Sequence, residues 1–338
     1  MHTGSNGTAP APAAIRRSAT PKTKRPRSGW LCRLELLAFD VARALFGRLS
    51  LGASYRLFEI KVALIYYFVP YLCRRGLHNL AIAFPDRSPA WRRWVLRRSI
   101  RYQSWVFAEA LLLPRVLESP GLAAQIDITE ALAAFDRDGV GKDRGAIIIS
   151  SHQGNGDLIA TAFARAGCPI LGVARLMDNP LIFERMAADR ARFGVRMATK
   201  RGFLVRAVHE IRDRGIACAF IDQDAGRTHG VFVPYFGRLA STTPGAAQII
   251  RLTDSVAYAM FGIRLAPRRP RIHCFVVGPL RFHATDDKDG DLLGWTAALT
   301  TEIERFARQY PEQCLWAHRR WKSRPAREGE RRGSRELV

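Results

Sequence analysis

Ala146-Ile147-Ile148-Ile149-Ser150-Ser151-His152-Gln153-Gly154-Asn155-Gly156-Asp157-Leu158-Ile159-Ala160 decides how this chain is read. Four apolar residues lead into a polar turn, and a helical apolar pattern running to Ala166 follows it. A buried strand therefore hands over to a helix, with a histidine and a carboxylate five residues apart at the junction. In a regular helix those two side chains would diverge by roughly 140°. Gly154 and Gly156 release the turn from helical geometry, so the expectation is that Asp157 folds back onto the His152 ring. A carboxylate on one ring nitrogen leaves the other free to take a proton from a hydroxyl.

Outward from this junction, short β-branched runs alternate with helical patterns. Strands are expected at 146–150, 169–174, 216–221, 255–264 and 272–278. Helices are expected at 157–166, 179–192, 202–213, 243–252 and 292–309. The alternation predicts an α/β fold with a mixed, mostly parallel central sheet flanked by helices. In such sheets ligands gather at the carboxyl ends of strands, where His152 falls. Four regions are expected: a disordered basic tail over 1–28, a helical membrane-associated region over 29–115, the α/β domain over 116–320, and a charged tail over 321–338.

The chain has 338 residues, 53 Lys+Arg against 30 Asp+Glu, and a net charge of +23. Residues 1–28 contain six basic and no acidic residues, and residues 317–338 eight basic and three acidic. About half of the excess therefore stays on the folded body, which suits an anionic membrane, a nucleic acid or an acidic partner. With 48% hydrophobic residues the chain has ample material for a core. Six cysteines stand apart, without CxxC or zinc spacing, and read as small buried hydrophobes of a reducing compartment.

No secretory signal or clean membrane span is visible. The apolar run 62–72 has eleven residues between Lys61 and Arg74-Arg75, whereas a span needs about twenty. Aromatic and cation-flanked, it suits a helix lying among lipid headgroups, as does Trp91-Arg92-Arg93-Trp94. A packed core helix with a basic outer face explains the second stretch almost as well.

Three further constellations lie downstream. Arg175 follows a strand and precedes a helix start at Asn179-Pro180, an arrangement that suits holding phosphate oxygens and equally a plain surface arginine before a capped helix. Asp222-Gln223-Asp224 ends the apolar strand at 216–221. Two aspartates so spaced can suggest magnesium, but no GxxxxGK[ST] loop accompanies them, and no metal or cofactor is expected. Phe232-Val233-Pro234-Tyr235-Phe236-Gly237, with Thr242-Thr243-Pro244 behind it, reads as an apolar groove or as a core strand with a capped helix start.

Taken in order, these motifs resemble the bacterial lipid A biosynthesis acyltransferases, the lauroyl/myristoyl transferase family within the lysophospholipid acyltransferase superfamily. The resemblance runs from about 79 to 322. It includes Asn79-Leu80-Ala81-Ile82-Ala83-Phe84-Pro85, the His152-x4-Asp157 motif, and Pro311-Glu312-Gln313 with Trp316-Ala317-His318-Arg319-Arg320-Trp321-Lys322.

The resemblance implies a general base at His152 supported by Asp157, a phosphate contact at Arg175, and substrate contacts at Asp222, Gln223 and Asp224. It implies O-acyl transfer from acyl carrier protein or coenzyme A to a phosphorylated glycolipid such as a lipid A precursor. The implied setting is the cytoplasmic face of the cell inner membrane, with lipopolysaccharide biosynthesis as the process and no nucleic acid partner. Lipid A enzymes commonly carry Glu where Asp157 stands. A phosphatidylinositol mannoside or other glycolipid acyltransferase is the alternative, and a basic membrane or nucleic-acid binding protein is the non-enzymatic one.

Overall fold

The computed structural model describes residues 28–174 and 176–325. Most of both expected tails, and Arg175, lie outside the described residues. The chain opens with helices α1 (Gly29–Arg48), α2 (Leu51–Phe68), α3 (Pro70–Ala83) and α4 (Pro89–Leu111), then the short α5 (Leu113–Glu118) and α6 (Pro120–Ala123). A break at Phe84-Pro85-Asp86 separates α3 from α4, where Ser88 caps α4 through the Trp91 N–H. The apolar run 62–72 is not one helix: Pro70 opens α3 after a break at Val69.

Alternation then begins with β1 (Ile126–Asp127), α7 (Thr129–Arg137), β2 (Ala146–Ser150), α8 (Gly156–Arg165), β3 (Ile170–Ala174) and α9 (Pro180–Ala191). It continues through β4 (Val195–Thr199), α10 (Lys200–Arg212), β5 (Ile216–Phe220), β6 (Val231–Tyr235) and β7 (Arg238–Thr242). It ends with α11 (Gly245–Thr253), β8 (Val256–Arg264), β9 (Ile272–Leu280) and α12 (Lys288–Gln309). The sheet order is β1-β9-β8-β2-β5-β3-β4. Strands β8, β2, β5, β3 and β4 run parallel; β9 is antiparallel to β8, and β1 follows β9. The α/β class and the mixed, mostly parallel sheet are as expected.

The central strands are apolar throughout because both faces are covered. Ile147 and Ile149 of β2, Ala217 and Ala219 of β5, and Phe261 and Ile263 of β8 enter the core under α10, α11 and α12. Ala146 and Ile148, Ile216 and Cys218, and Tyr258 and Met260 enter the opposite core, with α7 and α8. The chain leaves β2 through α8 on one face and reaches β8 through α11 on the other. The crevice this creates lies at the carboxyl ends of β2 and β5.

Four strands lie outside the five expected ranges: the two-residue β1, β4, β6 and β7. β4 carries Arg196 and Met197 within a polar context, and β6–β7 form a separate antiparallel hairpin. Phe236 (φ 52°) and Gly237 (φ 70°) make its two-residue turn. The apolar run Phe232–Gly237 thus turns inward rather than lining a groove: Val233, Tyr235 and Phe236 are buried. The rings of Phe84, Phe236 and Trp316 meet at centroid distances of 5.3–6.0 Å, joining three of the sequence motifs into one core.

Candidate active site

Parallel pairing fixes the geometry of the site. Ser150 of β2 is in register with Phe220 of β5. Two residues beyond each lie His152 and Asp222, so the ladder itself sets them side by side. His152 Nδ1–H donates to Asp222 Oδ1 at 2.8 Å, and the His152 backbone N–H donates to Oδ2 at 3.0 Å. A carboxylate on Nδ1 assigns the proton there and leaves the lone pair on Nε2. The Phe220 ring packs edge-on against the imidazole, 5.0 Å between centroids. The Gln223 amide nitrogen lies 3.4 Å from Nδ1 and 3.3 Å from Nε2.

Burial opposes charging of the imidazole, but the Asp222 carboxylate outweighs it by charge and hydrogen bond, so the His152 pKa lies above the ordinary histidine value. Burial likewise works against the Asp222 charge. His152 and Arg320 overcome it and hold that carboxyl below the ordinary aspartate range. The histidine side chain keeps 37% of its surface exposed, so the ring remains reachable.

Asp157 does not fold back onto the His152 ring, as the turn had suggested. Its carboxylate receives Arg190 Nε–H at 2.8 Å and Nη2–H at 2.5 Å, a two-pronged pair with a buried arginine near the end of α9. The reason lies in the turn. Asn155 caps α8, accepting the Leu158 N–H at 3.0 Å, so Asp157 begins a regular helix and projects toward α9 instead of curling back. Gly154 takes φ +59°, and a Cβ there would sit 1.9 Å from the Gly262 carbonyl oxygen. A Cβ on Gly156 would meet the Phe220 ring at 2.7 Å.

The backbone N–H groups of Gly154 and Asn155 donate to the carbonyls of Gln313 (3.0 Å) and Gly262 (2.8 Å). These two amides of the turn are therefore committed to the fold.

The Asp222-Gln223-Asp224 triplet divides its duties. Asp222 holds His152 and Gln223 approaches the ring. Asp224 accepts the Ser323 N–H at 3.1 Å and hydroxyl at 3.0 Å, and donates its own N–H to His318 Nε2 at 3.2 Å. Burial holds His318 below the ordinary histidine pKa, which suits that acceptor role. Arg320 donates to the carbonyls of Gln223 (3.1 Å) and Ser241 (2.7 Å) and to the Thr242 hydroxyl (2.6 Å). The His318-Arg319-Arg320 signature thus pins the C-terminal strap to the site loop. Asn79 secures the strap from α3, donating to the Trp316 and His318 carbonyls at 2.8 and 2.6 Å.

Asn179 caps α9 as read from sequence, accepting from Leu181 and Ile182, while its amide donates to the Cys32 carbonyl and Glu35 of α1. Among the described residues no group of three or more His, Cys, Asp or Glu side chains is placed to hold a metal.

Sequence reasoning missed Arg190, Glu109 and Arg264. Arg190 is one arginine among many, and no spacing rule singles it out. The other two did leave a signal. Glu109 is the one acidic residue of α4, and Arg264 the one charge of β8. Their carboxylate and guanidinium pair inside the protein, with Arg264 Nη2 2.5 and 2.6 Å from the two Glu109 oxygens.

The site is thus a buried strand-turn-helix bearing His152, closed by Asp222 from just beyond the neighbouring parallel strand. Residues 57–323 match the family described as bacterial lipid A biosynthesis acyltransferase, and the chain belongs to that family. It is similar to the lipid A biosynthesis lauroyltransferase of Escherichia coli K12, at 28% identity over 191 residues, 56% of this chain and 60% of that protein. It is similar to the palmitoleoyltransferase of the same organism at 24% over 271 residues, 77% of this chain and 82% of that one. A lipid A biosynthesis acyltransferase of Haemophilus influenzae matches at 26% over 151 residues, 44% and 45% of the two chains. The chain thus spans about half the length of two of these relatives.

Proposed function

We propose that this protein transfers a fatty acyl group from an acyl thioester to a hydroxyl of a phosphorylated glycolipid such as a lipid A precursor. The observation that carries the reading is the His152–Asp222 pair at the carboxyl ends of two adjacent parallel strands. Nε2 takes the hydroxyl proton as the oxygen attacks the thioester carbonyl. Asp222 fixes the tautomer and stabilises the imidazolium that forms. The tetrahedral intermediate collapses, the carbon–sulfur bond breaks, and the leaving thiolate takes the proton from His152. Gln223 is proposed to direct its amide N–H toward the substrate oxygen beside Nε2. Asp157, held by Arg190, orients the first turn of α8. The role of Arg175 as a phosphate contact rests on the family resemblance alone.

Acyl carrier protein and coenzyme A are the proposed donors, the first being itself acidic. The net positive charge suits both an acidic donor and a phosphate-bearing acceptor.

The proposed setting is the cytoplasmic face of the inner membrane, with the N-terminal helices lying on the bilayer. Trp30, Leu34, Leu37, Val41 and Leu45 of α1 recur at helical spacing and are exposed. Leu57, Ile60, Leu64 and Phe68 of α2 do the same. Soluble surfaces rarely leave such stripes uncovered. Among the described residues no helix is long and apolar enough to cross a membrane. An in-plane orientation fits both facts.

The test is incubation of the purified protein with a labelled lauroyl thioester, on coenzyme A and on carrier protein separately, and a bacterial lipid extract. Label moving into a glycolipid, as an alkali-labile ester, is expected. Free fatty acid alone, or label on no lipid, would reject the reading.

A further inference from the structure

Beneath the catalytic turn lies a charged cluster that the acid–base chemistry does not use. Glu109 of α4 is fully buried and Arg264 at the end of β8 nearly so. Besides Arg264, the Glu109 carboxylate receives the Tyr55 hydroxyl from α2 at 2.5 Å and the Asn155 amide at 2.7 Å. Arg264 is sandwiched toward the rings of Tyr55 and Trp105, 5.7 and 5.4 Å from their centroids. Gln313 grips the Arg264 backbone through both its N–H and its carbonyl, each at 2.9 Å. The Gln313 carbonyl in turn accepts the Gly154 N–H. The turn between His152 and Asp157 is therefore fastened from two sides to one buried ion pair.

Stability does not account for such a pair, because apolar side chains of similar volume are often as stable or more so. What a fully bonded carboxylate supplies is direction: its oxygens can receive only donors at fixed angles. One of those donors is the Asn155 side chain, whose own oxygen caps α8 and whose backbone N–H is held by Gly262. We propose that Glu109 is a positioning residue: its carboxylate, held by Arg264 and Tyr55, fixes Asn155 and so sets the turn that aims His152. The proposal rests on the acyl-transfer reading for its kinetic consequences but not for its structural one.

The experiment compares the full-length wild type with Tyr55→Phe, Asn155→Ala, Glu109→Gln and the Tyr55→Phe/Asn155→Ala double variant. Two readouts are taken: kcat and KM with the labelled lauroyl thioester, and amide hydrogen exchange of the peptide covering residues 153–160. Loss of positioning lowers kcat by about 3–10-fold in Tyr55→Phe and up to about 100-fold in Glu109→Gln, with KM within about twofold. The double variant is no slower than Asn155→Ala alone, since both act through one contact. Exchange in residues 153–160 speeds by about tenfold or more in Tyr55→Phe and Glu109→Gln. The acid limb of the pH profile stays in place, because the Asp222 bond is untouched.

Unchanged kcat in the folded variants, or losses in the double variant that multiply, would overturn the proposal. Should Glu109→Gln not fold, the Tyr55/Asn155 cycle decides alone. Should the wild type transfer no acyl group, the functional reading fails, and hydrogen exchange still decides this one: unchanged protection of residues 153–160 in Tyr55→Phe rejects it.

Discussion

His152 and Asp222 stand 2.8 Å apart because each lies two residues past a register pair of adjacent parallel strands. The contact is a by-product of the sheet and needs no special loop to bring it about. Because the carboxylate beside His152 comes from the loop after β5 rather than from α8, Asp157 is left to bind Arg190. The two ends of the His-x4-Asp motif therefore face different partners, His152 the Asp222 carboxylate and Asp157 the Arg190 guanidinium.

The Asp157–Arg190 pair couples α8 to α9, and its members are expected to act as a unit. Asp157→Asn leaves a buried guanidinium half-paired and destabilises by about 1–3 kcal/mol, a range held down by the partial exposure of the aspartate. Arg190→Met costs a comparable amount. The double variant is expected to cost clearly less than the two single losses together, measured by urea unfolding of all four proteins. Additive losses would show that the two side chains do not depend on each other.

The C-terminal strap is held by side chains that touch no reacting atom. Asn79→Ala removes the two bonds to the Trp316 and His318 carbonyls and is expected to destabilise by about 1–3 kcal/mol. Arg320→Met strips donors from Gln223, Ser241 and Thr242 and is expected to cost at least as much while loosening the site loop. Thermal unfolding checks both. A melting temperature unchanged in Arg320→Met would mean that the strap is held elsewhere.

Vesicle sedimentation tests the apolar stripes. Leu34→Ser, Leu37→Ser and Val41→Ser together remove three exposed side chains from one face of α1. At about 1 kcal/mol for each partly inserted side chain, binding to vesicles of anionic lipid is expected to weaken by about 100-fold. Raising salt should weaken the wild type further, as screening acts on the basic surface. Equal binding by wild type and triple variant would remove α1 from the membrane face.

Much of this molecule is legible in its sequence, and the failures have physical causes. The buried strands β2, β5 and β8 read directly because apolar side chains fill both faces. β4 did not, since this edge strand carries a polar residue on each face, Arg196 on one and Thr199 on the other. His152 was legible from its place between strand and glycine-rich turn. Its true partner was not, because register is a property of two strands 70 residues apart. Local spacing favoured Asp157, whereas an asparagine cap committed that residue to a helix. Asp222 was marked as a site residue for a different reason, its place at the end of an apolar strand. The Glu109–Arg264 pair showed only as the one carboxylate of an arginine-rich helix and the one charge of an apolar strand, and nothing local tells that they meet.

The most direct test of the account is the pH dependence of kcat/KM for acyl transfer in wild type, Asp222→Asn and Asp157→Asn. The Asp222 charge raises the His152 pKa, so the neutral base accumulates only as pH climbs through that raised value. Wild-type activity should then rise with a midpoint above about 6.5, the value for a free imidazole. Asp222→Asn should move the midpoint down, because burial and the Lys200 charge then act on the ring unopposed, and lower the plateau by about 100-fold or more. Asp157→Asn should leave the midpoint where it was. A midpoint that shifts with Asp157 and stays fixed with Asp222 would contradict the assignment of the pair.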